Sequence, residues 1–84
     1  MSIDDGFVKL EDSGYRLDST AGFISVSKSG IQKLATFGTW NEKSELRLDI
    51  RCWYGKDGLG KGVSLNKEEV HALRQILDKT DFGK

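Results

Sequence analysis

Proline is absent from all 84 residues, and cysteine, histidine and methionine occur once each. Punctuation of the chain therefore falls to the ten glycines, which are spread between short apolar runs and favour strands over helices through most of the length. The single cysteine, Cys52, excludes an internal disulfide, and with His71 as the one histidine no zinc cluster can be assembled. No metal or other cofactor is expected. No run approaches the roughly 20 apolar residues of a membrane helix, and the opening MSIDDGFVKL is acidic where a secretory signal would be basic. An intracellular location follows as the expectation, cytoplasm or nucleoid, or the nucleus in a eukaryote, with no membrane partner.

Net charge is also missing, since 13 basic side chains balance 13 acidic ones. The distribution is uneven, however. Residues 1–27 carry two basic and five acidic side chains, whereas residues 28–61 carry seven basic and four acidic ones and contain both tryptophans. What is present in quantity is ordinary for a folded domain: 37% hydrophobic and 31% charged residues, too apolar for a disordered chain. One domain of this length buries a modest core, so a second subunit is the simplest source of further burial.

Residues 22–28 alternate as a half-buried strand, with Ile24 and Val26 opposite Phe23, Ser25 and Ser27. Ser29-Gly30 turns the chain into a second strand over 31–40, in which Ile31, Ala35 and Phe37 share a face and Gln32, Thr36 and Trp40 lie opposite. Residues 41–44 read as a hairpin loop. The run 45–54 gives the clearest alternation: Leu46, Leu48, Ile50 and Cys52 on an inner face, Arg47, Asp49, Arg51 and Trp53 on an outer one. Residues 55–60, GKDGLG, read as a loop and 61–65 as a last strand with Val63 and Leu65 inward. Asn66, with Glu69 three residues on, predicts a capped helix running to about Lys79.

The helix places Val70, Ala72, Leu73, Ile76 and Leu77 on an arc of about 160°, wider than one packing surface requires. One flank can cover the sheet while Val70, Leu73, Ile76 and Leu77 meet a second copy. The expected fold is α+β: a twisted antiparallel four-stranded sheet followed by one C-terminal helix, dimerising through helix and sheet. Residues 1–21 are set apart as an N-terminal extension, an arm or short hairpin formed by FVKL and YRLD, and 22–84 as the domain proper.

An exposed tryptophan beside exposed arginines suits single-stranded DNA, whose unpaired bases stack on aromatic rings while cations meet the phosphates. Duplex reading is disfavoured because the helix surface is of mixed charge, with Glu68, His71, Gln75 and Asp78. An enzyme is not expected. Asp49 has no second carboxylate and most simply orients a neighbouring arginine, His71 has no acid or nucleophile in the pattern, and GKDGLG lacks the ending of a phosphate loop. Cys52 reads as packing.

The run LRLDIRCWY (46–54), its glycine-rich connection and GKGVSLNKEE (60–69) resemble the single-stranded DNA-binding domain of the coactivator called positive cofactor four and its bacterial relatives. LATFGTWN (34–41) is similar to the family's second strand, and the likeness covers roughly residues 22–79. It implies a dimer that presents cationic and aromatic ridges to single strands, with a role in transcription, replication or repair and the transcription machinery as a partner. It further implies phosphate contacts at Lys33, Arg51 and Lys61 and a stacking ring at Trp40. The second ring is Trp53 on the bacterial pattern and Tyr54 on the coactivator's own spacing, and strand alternation favours Trp53. Gly38 and Gly60 stand where some relatives carry basic residues. Lys43, Arg47 and Lys56 join the candidate surface, with plain solvation as their other reading. RNA is an alternative ligand, and a protein-interaction module using the same aromatic face is the alternative function.

Overall fold

Residues 8–41 and 45–82 are described by a computed structural model. Alternating side chains and glycine turns produce five strands, β1 (Val8–Lys9), β2 (Tyr15–Val26), β3 (Gln32–Trp40), β4 (Arg47–Tyr54) and β5 (Gly58–Leu65), with a short helix α1 (Leu10–Ser13) and a C-terminal helix α2 (Lys67–Lys79). All pairings are antiparallel, and the spatial order is β1-β5-β4-β3-β2. The α+β class and the terminal helix are as the sequence led one to expect, but the sheet has five strands rather than four.

The fifth strand and the longer second one come from the segment set apart as an extension. Its two halves do not pair with each other. Val8–Lys9 pairs with β5 at one edge, while Tyr15 opens a twelve-residue strand at the other, running unbroken through position 22. Only residues 10–14 join these edges. Four strand spacings measure about 19 Å when flat, and a four-residue helix rises only about 6 Å, so the sheet must curl until its edges approach. Gly14, at φ 84°, ends α1 in the left-handed region and turns the chain into β2. Its carbonyl accepts from the Asn41 amide at 2.7 Å, and the Leu10 amide donates to the Asp57 carbonyl at 2.6 Å, which ties the two ends of α1 to the end of β3 and to the β4–β5 turn. Three register shifts in β2 bend that edge further.

The register sorts the side chains into two faces. One carries the rows Phe37–Leu48–Leu65 and Ala35–Ile50–Val63, the other Thr36–Asp49–Ser64 and Leu34–Arg51–Gly62. Sequence parity assigned these sets correctly but assigned their environments the wrong way round. The concave side of the curl is the face with Thr36, Asp49 and Arg51, and it closes on Tyr15, Trp53 and Leu59, with Leu10, Leu34 and Trp40 packed around them. The face expected to be inside leaves Phe37, Leu46 and Val63 exposed. Alternation records which residues share a side of a strand; curvature decides which side is covered.

Gly58, Leu59 and Gly60, read as loop, lie in β5 and are buried. A side chain at Gly60 would overlap the Tyr54 ring, and one at Gly38 would overlap the Tyr15 hydroxyl and the Arg16 carbonyl. These glycines are small because backbone and ring approach them, so neither position could carry a basic side chain here. The helix begins as expected. The Asn66 side chain accepts from the Glu69 amide at 2.8 Å and the Glu69 carboxylate accepts from the Asn66 amide at 2.9 Å, a reciprocal cap. α2 buries none of its residues against its own sheet.

Candidate nucleic acid interface on the concave face

Two residues from β4 and one from β3 form the centre of the concave face. Asp49 is wholly buried and accepts from Arg51 twice, Nε to Oδ2 at 2.5 Å and Nη2 to Oδ1 at 3.0 Å. Strand geometry places residues i and i+2 on one side, so this pair follows from the sequence DIR directly. Arg51 Nη1 donates to the Gly60 carbonyl at 3.0 Å, and its guanidinium carbon stands 4.9 Å from the centre of the Trp40 ring. The orienting role expected of Asp49 is thus seen. The free guanidinium expected of Arg51 is not: its side chain is 13% exposed and three of its donors are engaged within the protomer.

Trp40 lies half-buried between Arg51 and Tyr15, whose ring centroid is 4.7 Å away at 41°. The Tyr15 hydroxyl and Thr36 Oγ1 are 2.7 Å apart in a fully buried hydrogen bond. Burial holds the Tyr15 phenol above its ordinary value of 10.0, against the Thr36 hydrogen bond that lowers it; Asp49 and Asp18 add to the rise and Arg51 opposes it. A phenol raised in the folded state stays protonated where the unfolded chain ionises. Its stabilisation is complete below pH about 10 and is lost as pH climbs through the folded value. Urea midpoints should therefore fall as pH rises above about 10, and Tyr15→Phe should remove that part of the fall. At neutral pH the same change should cost about 1–3 kcal/mol, because Thr36 is left without its partner.

Trp53 is the clearest correction. It was expected to project outward beside Arg51, yet it is 3% exposed and is part of the core with Tyr15 and Leu59. Parity put it on the correct face, but that face is the covered one. Arg47 is also engaged, with Nε donating to Ser64 Oγ at 2.8 Å, Nη2 donating to the Ser64 carbonyl at 3.3 Å, and the Glu69 carboxylate 3.8 Å away. Lys33 stands opposite Cys52 in a row belonging to the other face. Lys43 lies outside the described residues. Tyr54 is half-buried.

What the fold does bring together is a pair of open clefts on the concave side. The first, about 490 Å³, is lined by Leu17, Thr20, Gly30, Gln32, Leu34, Thr36, Trp53, Gly55 and Lys56. The second, about 290 Å³, is lined by Val8, Asp12, Ser13, Trp40, Arg51, Leu59, Gly60 and Lys61. Each has an indole in its wall and an exposed lysine, Lys56 or Lys61, that forms no ion pair among the described residues. Phe23, 59% exposed, lies in the cross-strand row of Leu34 and Arg51 and extends the aromatic surface to the β2 edge. Sequence reading missed Tyr15, Phe23 and Leu59. The alternation in YRLD was visible, but nothing local told that it would join β2 rather than a separate hairpin.

Among the described residues no group of three or more histidine, cysteine, aspartate and glutamate side chains could hold a metal ion, and no helix is long and apolar enough to cross a membrane. The fold and the face together define a small α+β protein with a curled sheet whose hollow side is aromatic and cationic. No family model and no solved structure matches the chain. An uncharacterized protein of Treponema pallidum (strain Nichols) is 35% identical over 75 residues, 88% of this chain and 87% of that protein. The chain belongs to the same family as this spirochaete protein.

Proposed function

We propose that the protein is a homodimeric binder of single-stranded DNA with little sequence preference, resembling the positive cofactor four family in function, and that the strand lies along the concave face. The observation that carries this reading is the occurrence, in each of two clefts on one face, of an indole beside a lysine that has no ion pair among the described residues. Trp40 and Phe23 supply stacking surface, Lys56 and Lys61 meet phosphates, and the Asp49–Arg51 pair holds Trp40 in place rather than touching the ligand. Trp53 supports the wall from behind.

Dimerisation is supported by what the protomer leaves uncovered. Phe37, Leu46 and Val63 on the sheet and Ile76 and Leu77 on α2 are all exposed, while among the described residues the buried apolar side chains are Tyr15, Trp53 and Leu59. So little core is marginal for a chain of this length, and a second copy covering helix and sheet supplies more.

Titration of labelled oligothymidine with the wild type and with Lys56→Ala and Lys61→Ala tests the binding reading. Affinity should fall with salt, and removing either lysine's bond to a phosphate should lower the logarithmic salt slope by about 0.7. Trp40→Ala should weaken binding by about 1–3 kcal/mol, roughly fivefold to 150-fold. Equal affinity for duplex, or no binding at low salt, would remove the reading; tighter binding of oligouridine would make RNA the ligand.

A further inference from the structure

The two clefts of the concave face are chemically unequal. In the second, Trp40 is half-buried and keeps part of its ring at the surface. In the first, Trp53 is 3% exposed, so its ring is closed to a stacking base, and the side chains that reach solvent include Thr20, Gln32 and Lys56. Register explains how these polar groups meet. Three shifts in β2 insert one extra residue each, so Leu17, Thr20 and Phe23, three apart rather than two, pair with Gly38, Thr36 and Leu34 and share their side of the sheet. Gln32 pairs with Trp53 on that same side. The cleft's lining holds no acidic side chain, the Thr20 and Gln32 side chains form no hydrogen bond with any described residue, and Lys56 forms no ion pair among them. Gly30 and Gly55, at φ 90° and 75°, also line it, with open space where a Cβ would stand, so a ligand can come close to the backbone. At about 490 Å³ and of mixed polarity, the space suits a small ring system that enters it rather than one that lies flat across it.

A primary amide sets a hydrogen-bond acceptor beside a donor. Every unpaired base presents a matching pair along its Watson–Crick edge, for thymine the N3–H donor beside the O4 acceptor. From this we infer that the first cleft takes one unpaired base edge-on, with the Gln32 amide on its Watson–Crick edge and Lys56 on the adjoining phosphate. The inference rests on the proposed single-strand binding and adds how a single strand is told from a duplex: a base already paired has no such edge to offer. Because the amide can turn over to serve either order of donor and acceptor, the pocket asks for an unpaired base without asking which.

Labelled oligothymidine and the same oligomer methylated at N3 of every thymine test it, since the methyl group blocks the edge and leaves the ring face for stacking. Wild type should bind the methylated strand about tenfold more weakly. Gln32→Leu should bind unmodified oligothymidine about tenfold more weakly than wild type, should treat the two strands alike, and should keep the wild-type salt slope because no charge is removed. Gln32 is exposed, so circular dichroism should show the variant folded. Equal wild-type affinity for the two strands, or a Gln32→Leu protein that still separates them tenfold, would overturn the edge-on pocket and leave stacking on Trp40 standing. A wild type that binds neither strand at low salt would overturn single-strand binding itself, and this pocket with it.

Discussion

Asp49→Ala should cost about 3–5 kcal/mol and unfold much of the protein at ambient temperature. Asp49 has no exposure at all and neutralises a guanidinium whose side chain is itself 13% exposed. Removing the carboxylate leaves Arg51 charged in a nearly dry site, with the Gly60 carbonyl as its remaining hydrogen-bond partner. The effect should appear as a lowered urea midpoint followed by circular dichroism, at one fixed protein concentration because dimer stability depends on it. Replacing the pair together, Asp49→Leu with Arg51→Met, should recover most of the stability, since no buried charge then lacks a partner. A single Asp49→Ala change worth under about 1 kcal/mol would mean that the pair is open to water and that the concave face is not closed as described.

Ile76→Asp should convert the protein to a monomer. At 56% exposure within the protomer, a charge at this position would be almost neutral for an isolated chain, within about 0.5 kcal/mol. Inside a dimer interface the same carboxylate would be desolvated without a partner, at a cost of several kcal/mol from each copy. Light scattering across a concentration series separates these outcomes. The monomer should also unfold at lower urea, because association no longer stabilises the folded state by mass action. An Ile76→Asp protein with unchanged mass and midpoint would place that side of α2 outside any interface.

The sequence disclosed the strands and the helix through local signals whose physics is local too. The alternation in RLDIRCWY became β4 within two residues of the expected start, and Asn66 with Glu69 formed the reciprocal cap. Contiguity of chemistry was legible as well: Asp49 and Arg51, two apart on one side of a strand, are joined as their spacing implied. The long-range geometry was not legible. That Tyr15 would pair with Trp40, and that residues 10–14 would draw two sheet edges together, depends on contacts between segments far apart in the chain. Without the curl, the polar side of β4 looked like the outside, and Trp53 was placed in solvent. Leu59 was hidden for a related reason, since the glycines on both sides read as loop when they lie in β5, Gly60 leaving room for the Tyr54 ring.

This changes which residues can touch a ligand. An arginine and a tryptophan that look available in a strand pattern hold the platform together, while Lys56 in the β4–β5 turn, Lys61 within β5 and Trp40 at the end of β3 border the open clefts. Binding strength should then depend on Arg51 through the position of the Trp40 ring and on Lys56 and Lys61 through charge. These are separable because only the lysine changes alter the salt slope.

Nitrogen-15 NMR of the wild-type protein during addition of oligothymidine tests the central claim most directly, because the indole N–H signals of Trp40 and Trp53 and the amides of both faces are followed together. Expected are saturable shifts at Trp40, Phe23, Lys56 and Lys61 at low salt that revert as salt is raised, with the amides of Phe37, Leu46 and Val63 unmoved. Shifts confined to those convex-face residues, or none at any salt concentration, would contradict the assignment of the hollow side as the binding surface.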